Sequence, residues 1–371
     1  MKKIYMISIA IIALLLGIVT YAYIKGKPVS VETNKKVDGL SEEISEIIYY
    51  ASMAPNSHNT QLWKVYVDVD NNQIKISLDK ERTLKKVDSK DREAYISIGA
   101  FTENLVKAFE AYGYETKLVI SEEDNNGLVS VTYKKIKGRE INHNILDVIM
   151  RRHTNKSAFL NKDISSENIA KLKGNNKQIF YFGNGTESCE YLRKSAVSAM
   201  EQQAYDKSKA EEFSKWLRLS DKEAVSSKDG LPAEQLGLTG IIKTIYYMTT
   251  THKSATEDSY AKQSVDTAKK QADNCSGFLI ITGGTSKKDL VETGMMLEST
   301  WLKAVELGIS VHPMSKILEE APYCDEINSR IKADLPVQMI LRVGYVKEYG
   351  ENNHIRRDLI DYVTVKDNSS H

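Results

Sequence analysis

The sequence predicts an α+β fold, and three observations carry that prediction. Val65, Val67 and Val69 alternate with Tyr66 and Asp68, and Ile74, Ile76 and Leu78 answer them across the turn Asn71-Asn72, as in a half-buried hairpin. Long stretches of helical spacing surround it, notably about Asp91–Tyr112 and Lys287–Leu307. Helices outnumber strands and their order is mixed, which differs from the regular alternation of a parallel α/β sheet.

The elements follow in order. Residues 25–38 are polar, contain Pro28 and a lysine pair, and read as a tether, so folded structure is expected to start near Leu40. Ser41 with Glu43 and Glu46 starts a helix whose apolar face is Ile44, Ile47, Ile48 and Ala51, and Pro55 stops it. After the hairpin comes the helix ended by Gly113, then strands Lys117–Ile120 and Leu128–Tyr133 about the polar turn Glu122–Gly127. A second half opens near Asn144 with a helix ending in Arg151-Arg152. It stays mostly helical until Phe278–Ile281, an apolar run that reads as a buried strand. The last long helix carries its inner stripe on Leu297, Trp301, Ala304 and Gly308, and Gln338–Val343 is a final strand. No short-period repeat is present.

The 371 residues are 41% hydrophobic and 27% charged, which suits one large domain or two small ones with a sizeable core. The formal charge of +1 hides an asymmetry. Residues 1–27 hold Lys2, Lys3, Lys25 and Lys27 and no acid, so the other residues hold 47 basic against 50 acidic side chains, about −3. A nucleic-acid binder would need a basic footprint that this body lacks. Cys189, Cys275 and Cys324 lie far apart with no C-x-x-C, which argues against a zinc knuckle and a disulfide scaffold alike.

No charged residue occurs from Ile4 to Ile24, a run roughly 30 Å long as a helix, about one hydrocarbon core. The exit Val19-Thr20-Tyr21-Ala22-Tyr23-Ile24 has no A-x-A cleavage pattern. The expectation is one uncleaved transmembrane helix over residues 1–27, a linker over 28–39, and single-pass membrane localisation with the side of the soluble body open.

Three segments are candidates for chemistry. Ala54–Trp63 packs six polar side chains into the six positions from Asn56 to Gln61, at a helix-to-strand corner. Such groups suit the edge of a heterocycle, and equally make an ordinary capped turn. Arg151-Arg152-His153-Thr154-Asn155-Lys156-Ser157 could clamp a phosphate through arginine forks, or simply complement a helix C-terminus. The loop Gly308–Ser315, with Gly283-Gly284, Arg342–Tyr345 and Arg356-Arg357, could lay backbone against a flat ligand. Walker A, H-E-x-x-H and G-x-S-x-G motifs are absent, Gly183-Asn184-Gly185 lacks the third glycine of a dinucleotide loop, and the seven histidines form no spaced metal set.

Taken together the segments resemble a family. Pro55–Trp63 is similar to the P-S-x-x-N-x-Q-P-W signature of FMN-dependent nitroreductases, and Arg151–Phe159 to their R-R-x-T-x-R-x-x-F segment. The order is reversed and the two lie nearly one hundred residues apart, which resembles the two-repeat, single-chain branch of that family. Gly294–Ser315, Gly344-Tyr345 and Arg356-Arg357 resemble its C-terminal part, so the likeness covers most of residues 40–365. It implies a nitroreductase-like α+β sandwich of two tandem repeats, over 40–143 and 144–371, acting as a monomeric pseudo-dimer.

It also implies an FMN site. Ser57, His58, Asn59 and Gln61 would line the ring, Arg151, Arg152, Lys156 and Arg356 or Arg357 would hold the phosphate, and His312, Pro313, Met314 and Ser315 would lie beside the ring. Asn56, Leu62 and Lys156 depart from the family's serine, proline and arginine, and a lysine lacks the bidentate fork. The resemblance implies NADPH or NADH as electron donor and a nitroaromatic or quinone-like small molecule as acceptor, with no side chain singled out for catalysis. A flavin store or sensor without turnover is the alternative, with residues 205–260 as a lid.

Overall fold

The computed structural model describes residues 5–6, 9, 16–17, 20–24, 26–123 and 127–366. The first half opens with helix α1 (Glu42–Ser52), where the Ser41 hydroxyl accepts from the Ile44 N–H at 3.3 Å. Strands β1 (Trp63–Asp68) and β2 (Gln73–Leu78) form the expected hairpin, with Val65 opposite Ile76. Helix α2 (Arg92–Ala111) follows, then β3 (Tyr114–Ile120) and β4 (Val129–Lys135).

In the second half α3 (His143–Arg151) and α4 (Ser166–Lys173) precede β5 (Ile179–Gly183). Five helices then intervene: α5 (Glu187–Tyr205), α6 (Lys207–Trp216), α7 (Asp221–Ser227), α8 (Gly240–Thr249) and α9 (Asp258–Asp273). Strand β6 (Gly277–Thr282), helix α10 (Lys287–Glu306) and β7 (Ser310–Pro313) come next. Helix α11 (Tyr323–Ile331), β8 (Val337–Gly344) and β9 (Val363–Val365) complete the order.

The two sheets have matching topology. One runs β3-β4-β2-β1-β9 and the other β7-β8-β6-β5, with antiparallel partners throughout except β9. Helix α2 stands between β2 and β3 in sequence, and α10 between β6 and β7. These twenty-residue helices cross in the centre, and the contact is glycine on glycine. Gly99 and Gly294 are each the eighth residue of their helix, and a Cβ on either would overlap a carbonyl oxygen of the other helix. α10 starts with a reciprocal cap between Ser286 and Asp289.

The central core holds Trp63, Phe101, Leu105, Phe109, Leu297 and Trp301. β6 and β8 are buried at every residue, because the second sheet is covered on both faces. Leu279 and Leu341 face the central core, while Phe278 and Ile340 face a second core under α5, α9 and α11. That double burial is why Phe278–Ile281 reads as an unbroken apolar run. β9 crosses over from the second half and lies parallel to β1, Val363 beside Val65.

Two expectations about the N-terminal region are corrected. Among the described residues no helix is long and apolar enough to cross a membrane, so the transmembrane helix and the membrane localisation are withdrawn. Most of the Ile4–Ile24 run lies outside the described residues. Its carboxyl end is engaged by the body: the Thr244 hydroxyl donates to the Ala22 carbonyl at 3.3 Å, and Gly240 N–H to the Gly26 carbonyl at 3.0 Å. Residues after it are not a free tether either. Val29 and Val31 are buried against Ala224 and Ile355, and Lys243 donates to the Lys27 carbonyl at 2.7 Å.

Candidate functional site

The Pro55–Leu62 corner leaves α1 in a conformation set by side chains. Asn56 Oδ1 accepts from the Gln61 N–H at 2.8 Å, and His58, Asn59 and Gln61 all have φ of 52°, a left-handed backbone that three non-glycine residues adopt only when neighbours enforce it. The neighbours are visible. Asn59 Nδ2 donates to the carbonyls of Gly230 at 3.2 Å and Ile355 at 3.3 Å, and its Oδ1 accepts from Arg356 at 3.1 Å. Gln61 Nε2 donates to the Lys228 carbonyl and its Oε1 accepts from the Arg357 N–H, both at 2.8 Å. Ser57 donates to Glu93, and the His58 ring stands edge-on to Phe213 at 5.3 Å.

The arginines are mostly committed to building the site. Arg152 is buried, ion-paired to the fully buried Glu298 at 3.2 Å, donates to the Met53 carbonyl, and lies over the Trp301 ring. Arg356 donates to the carbonyls of Ser52, Met53, Ala54 and Ile355. Arg342 holds the Asn155 and Ser157 carbonyls at 3.2 and 2.9 Å and so shapes the loop after α3. Arg151 is exposed, pairs with Asp147 at 3.5 Å and lies over the Tyr349 ring at 5.9 Å.

Lys156 differs. Its ammonium has no hydrogen-bond or ion-pair partner among the described residues, and burial, reinforced by Lys316, pushes its pKa down to about 8. Burial first, then the cations Lys316 and Lys156, hold His58 down at about 3. Burial, with Arg342 next, holds His312 well below its ordinary value. Both imidazoles are therefore neutral at pH 7, and each has a buried Nδ1 without a hydrogen-bond partner among the described residues.

These segments converge on one cavity of about 830 Å³. Ser57, His58, Asn59, Arg152, Lys156, His312, Pro313, Met314, Ser315 and Arg356 line it, whereas Gln61, Arg151 and Arg357 stand outside the lining. Arg357 instead donates to the carbonyls of Gln61 and Asp361. Part of the wall comes from the stretch between β5 and β6, through Phe213, Leu231, Tyr246 and Tyr260. That stretch is fastened to the corner: Asp229 pairs with Arg82 and with Arg218, the latter at 2.5 Å, and Gly230 N–H donates to the Asn59 carbonyl at 3.1 Å. Sequence reasoning missed Glu93, Lys316 and Glu319, which line the cavity from α2 and from the turn after β7. No local pattern marks them, since their role comes from packing.

No family model matches the chain. Over 77 residues it is 35% identical to "Probable NAD(P)H nitroreductase PigM" of Serratia sp. (strain ATCC 39006), and the match spans 21% of this chain and 21% of that protein. Its outline is similar to the FMN-dependent nitroreductase NfnB from Mycobacterium smegmatis solved with NADPH, at a TM-score of 0.38 and 12% identity over 59% of this chain and 96% of the other. It is similarly like the FMN and NADPH-dependent nitroreductase NfnB from Sphigopyxis sp. strain HMH, at a TM-score of 0.38 and 14% identity over 60% and 98%.

Proposed function

We propose that the chain is an FMN-dependent NAD(P)H oxidoreductase of the nitroreductase kind, which passes electrons to a nitroaromatic or quinone-like acceptor. The observation that carries the reading is the convergence of three distant segments, 55–59, 152–157 and 312–316, on one cavity. The local match to a nitroreductase supports it. The two-repeat reading, 40–143 and 144–371, is supported by the matching strand orders and the glycine crossing. On that reading the flavin lies between halves of one chain, which acts as a monomer.

The residues present fit the group. Lys156 offers an unpaired cation for the phosphate, and the orphaned Nδ1 atoms of His58 and His312 are polar groups in want of a partner. Bound FMN would supply the electron transfer itself. Arg152 and Arg356 brace the walls: Arg152 is ion-paired with Glu298 and donates to the Met53 carbonyl, and Arg356 donates to Asn59 Oδ1 and to the carbonyls of Ser52, Met53, Ala54 and Ile355. Phe213, Tyr246 and Tyr260 exclude water from one side.

The test is the absorption spectrum of the purified chain before and after NADPH or NADH. Bound flavin should bleach, and a nitroarene or quinone should restore the colour. The fastening of Asp229 and Gly230 favours a second reading, a flavin store whose cover blocks the nicotinamide. Flavin that resists both nicotinamides yet yields to dithionite would select it.

A further inference from the structure

One stretch of the cavity wall carries carboxyl groups. Glu93, the second residue of α2, and Glu319, at the end of the short turn after β7, both line the cavity, and the charge of Glu93 acts on Glu319. Two neighbouring buried carboxyls disfavour each other's charge, so one of the two keeps its proton. The surroundings decide where it resides. Burial works against ionising Glu93, but Arg92 at 3.1 Å and the hydroxyls of Ser315 and Ser57 outweigh it and hold that carboxyl below the ordinary range. Glu319 meets the opposite balance. Burial and then the charge of Glu93 raise it to about 8, against the weaker pull of Lys316, Gln203 and Arg92. Gln203 Nε2 donates to Glu319 at 2.6 Å and to Glu320 at 3.1 Å, and Lys209 pairs with Glu320 at 2.5 Å. Lys316 is itself directed at Gln203 Oε1.

Reduction of a quinone needs a second proton. The quinone takes up an electron pair and one proton as a hydride equivalent derived from NAD(P)H, which leaves one of its oxygens an oxyanion. His58 and His312 are neutral bases at pH 7, poorly suited to give a proton. Resting on the flavoenzyme reading above, we propose that Glu319 donates this proton to the acceptor and that Glu93 is the positioning residue that keeps it on Glu319. The Glu319 O–H bond breaks, an O–H bond forms on the quinone oxygen, and Glu319 is left a carboxylate that solvent reprotonates. The quinone is reduced and NAD(P)H is oxidised.

The test uses the full chain loaded with FMN, with NADPH as donor and menadione as acceptor. Glu319→Gln should keep its flavin and its bleaching by NADPH, and should slow recolouring by menadione on the order of 100-fold. The wild-type recolouring rate should fall as pH rises through about 8, a profile that Glu319→Gln loses and Glu319→Asp partly restores. A flavin-free readout accompanies it: the infrared band of the Glu319 carboxyl, identified as the protonated-carboxyl band that Glu319→Gln removes, should vanish near that pH in the wild type and titrate lower in Glu93→Gln. Unchanged recolouring and pH profile in Glu319→Gln overturn the proposal, as does a profile abolished instead by Lys156→Met. If Glu319→Gln does not fold, the wild-type infrared and kinetic titrations must still coincide, and a mismatch overturns it. A chain that binds no flavin, or whose flavin neither nicotinamide bleaches, overturns the flavoenzyme reading and the donor role together. Bleaching with unchanged recolouring overturns the donor role alone.

Discussion

At the residue scale, charge that reads as ligand-binding in the sequence divides into structural and available. Arg152 and Glu298 form a buried pair, and deleting one partner of such a pair costs about 3–5 kcal/mol. Arg152→Met should therefore unfold at markedly lower denaturant. Burial, even against Arg152, raises Glu298 to about 7, above its unfolded value. Without the arginine its proton is held more tightly still, so the folded variant is least penalised when that carboxyl is protonated. Its stability loss should be smaller at pH 5 than at pH 8.5, and equal losses in urea titrations at the two values would contradict this. Lys156→Met should leave stability nearly intact while erasing the preference for FMN over riboflavin, a loss of about 1.5–3 kcal/mol in FMN binding by calorimetry. The sequence marked the Ser57–Asn59 and Arg152–Lys156 segments, but it could not tell that Asn59 and Arg356 would bind each other. That pairing links residues 297 positions apart, which no local pattern encodes.

At the element scale, the two central helices were legible nearly to their ends because their apolar spacing is long and their termini carry Ser286, Gly113 and Gly308. β5, β7 and β9 were not. β7 has four residues and β9 three, too short for periodicity to register, and β5 is flanked by helices that share its apolar content. The glycine crossing predicts that Gly99→Ala and Gly294→Ala, good helix substitutions elsewhere, each destabilise by about 1–3 kcal/mol, because α2 and α10 must separate. An unchanged thermal midpoint in either would show that the crossing yields freely. Asp229→Ala removes the acid that Arg82 and Arg218 share, and should make residues 205–240 the first site of limited proteolysis. Cleavage elsewhere at the wild-type rate would count against that fastening.

At the scale of the whole molecule, the α+β class was legible, whereas the expected membrane helix was not upheld: among the described residues no helix is long and apolar enough to cross a membrane. Segments from both halves line the cavity, so one chain should suffice for it. Sedimentation should give a monomer of 41.8 kDa with one flavin per chain. A stable dimer that loses its flavin on dissociation would contradict this.

The parallel pairing of β9 with β1 has a consequence for biosynthesis. Val363 leaves the ribosome 298 residues after its neighbour Val65, which at bacterial or eukaryotic elongation rates is roughly 15–60 s. Throughout that interval the nascent first half presents an open strand edge, the kind of edge on which chains join one another. Translation speed and chaperone supply, rather than final stability, should then govern how much of the newly made protein stays unaggregated. Arrested nascent chains carrying residues 1–350 should accordingly recruit holdase chaperones that release once β9 emerges.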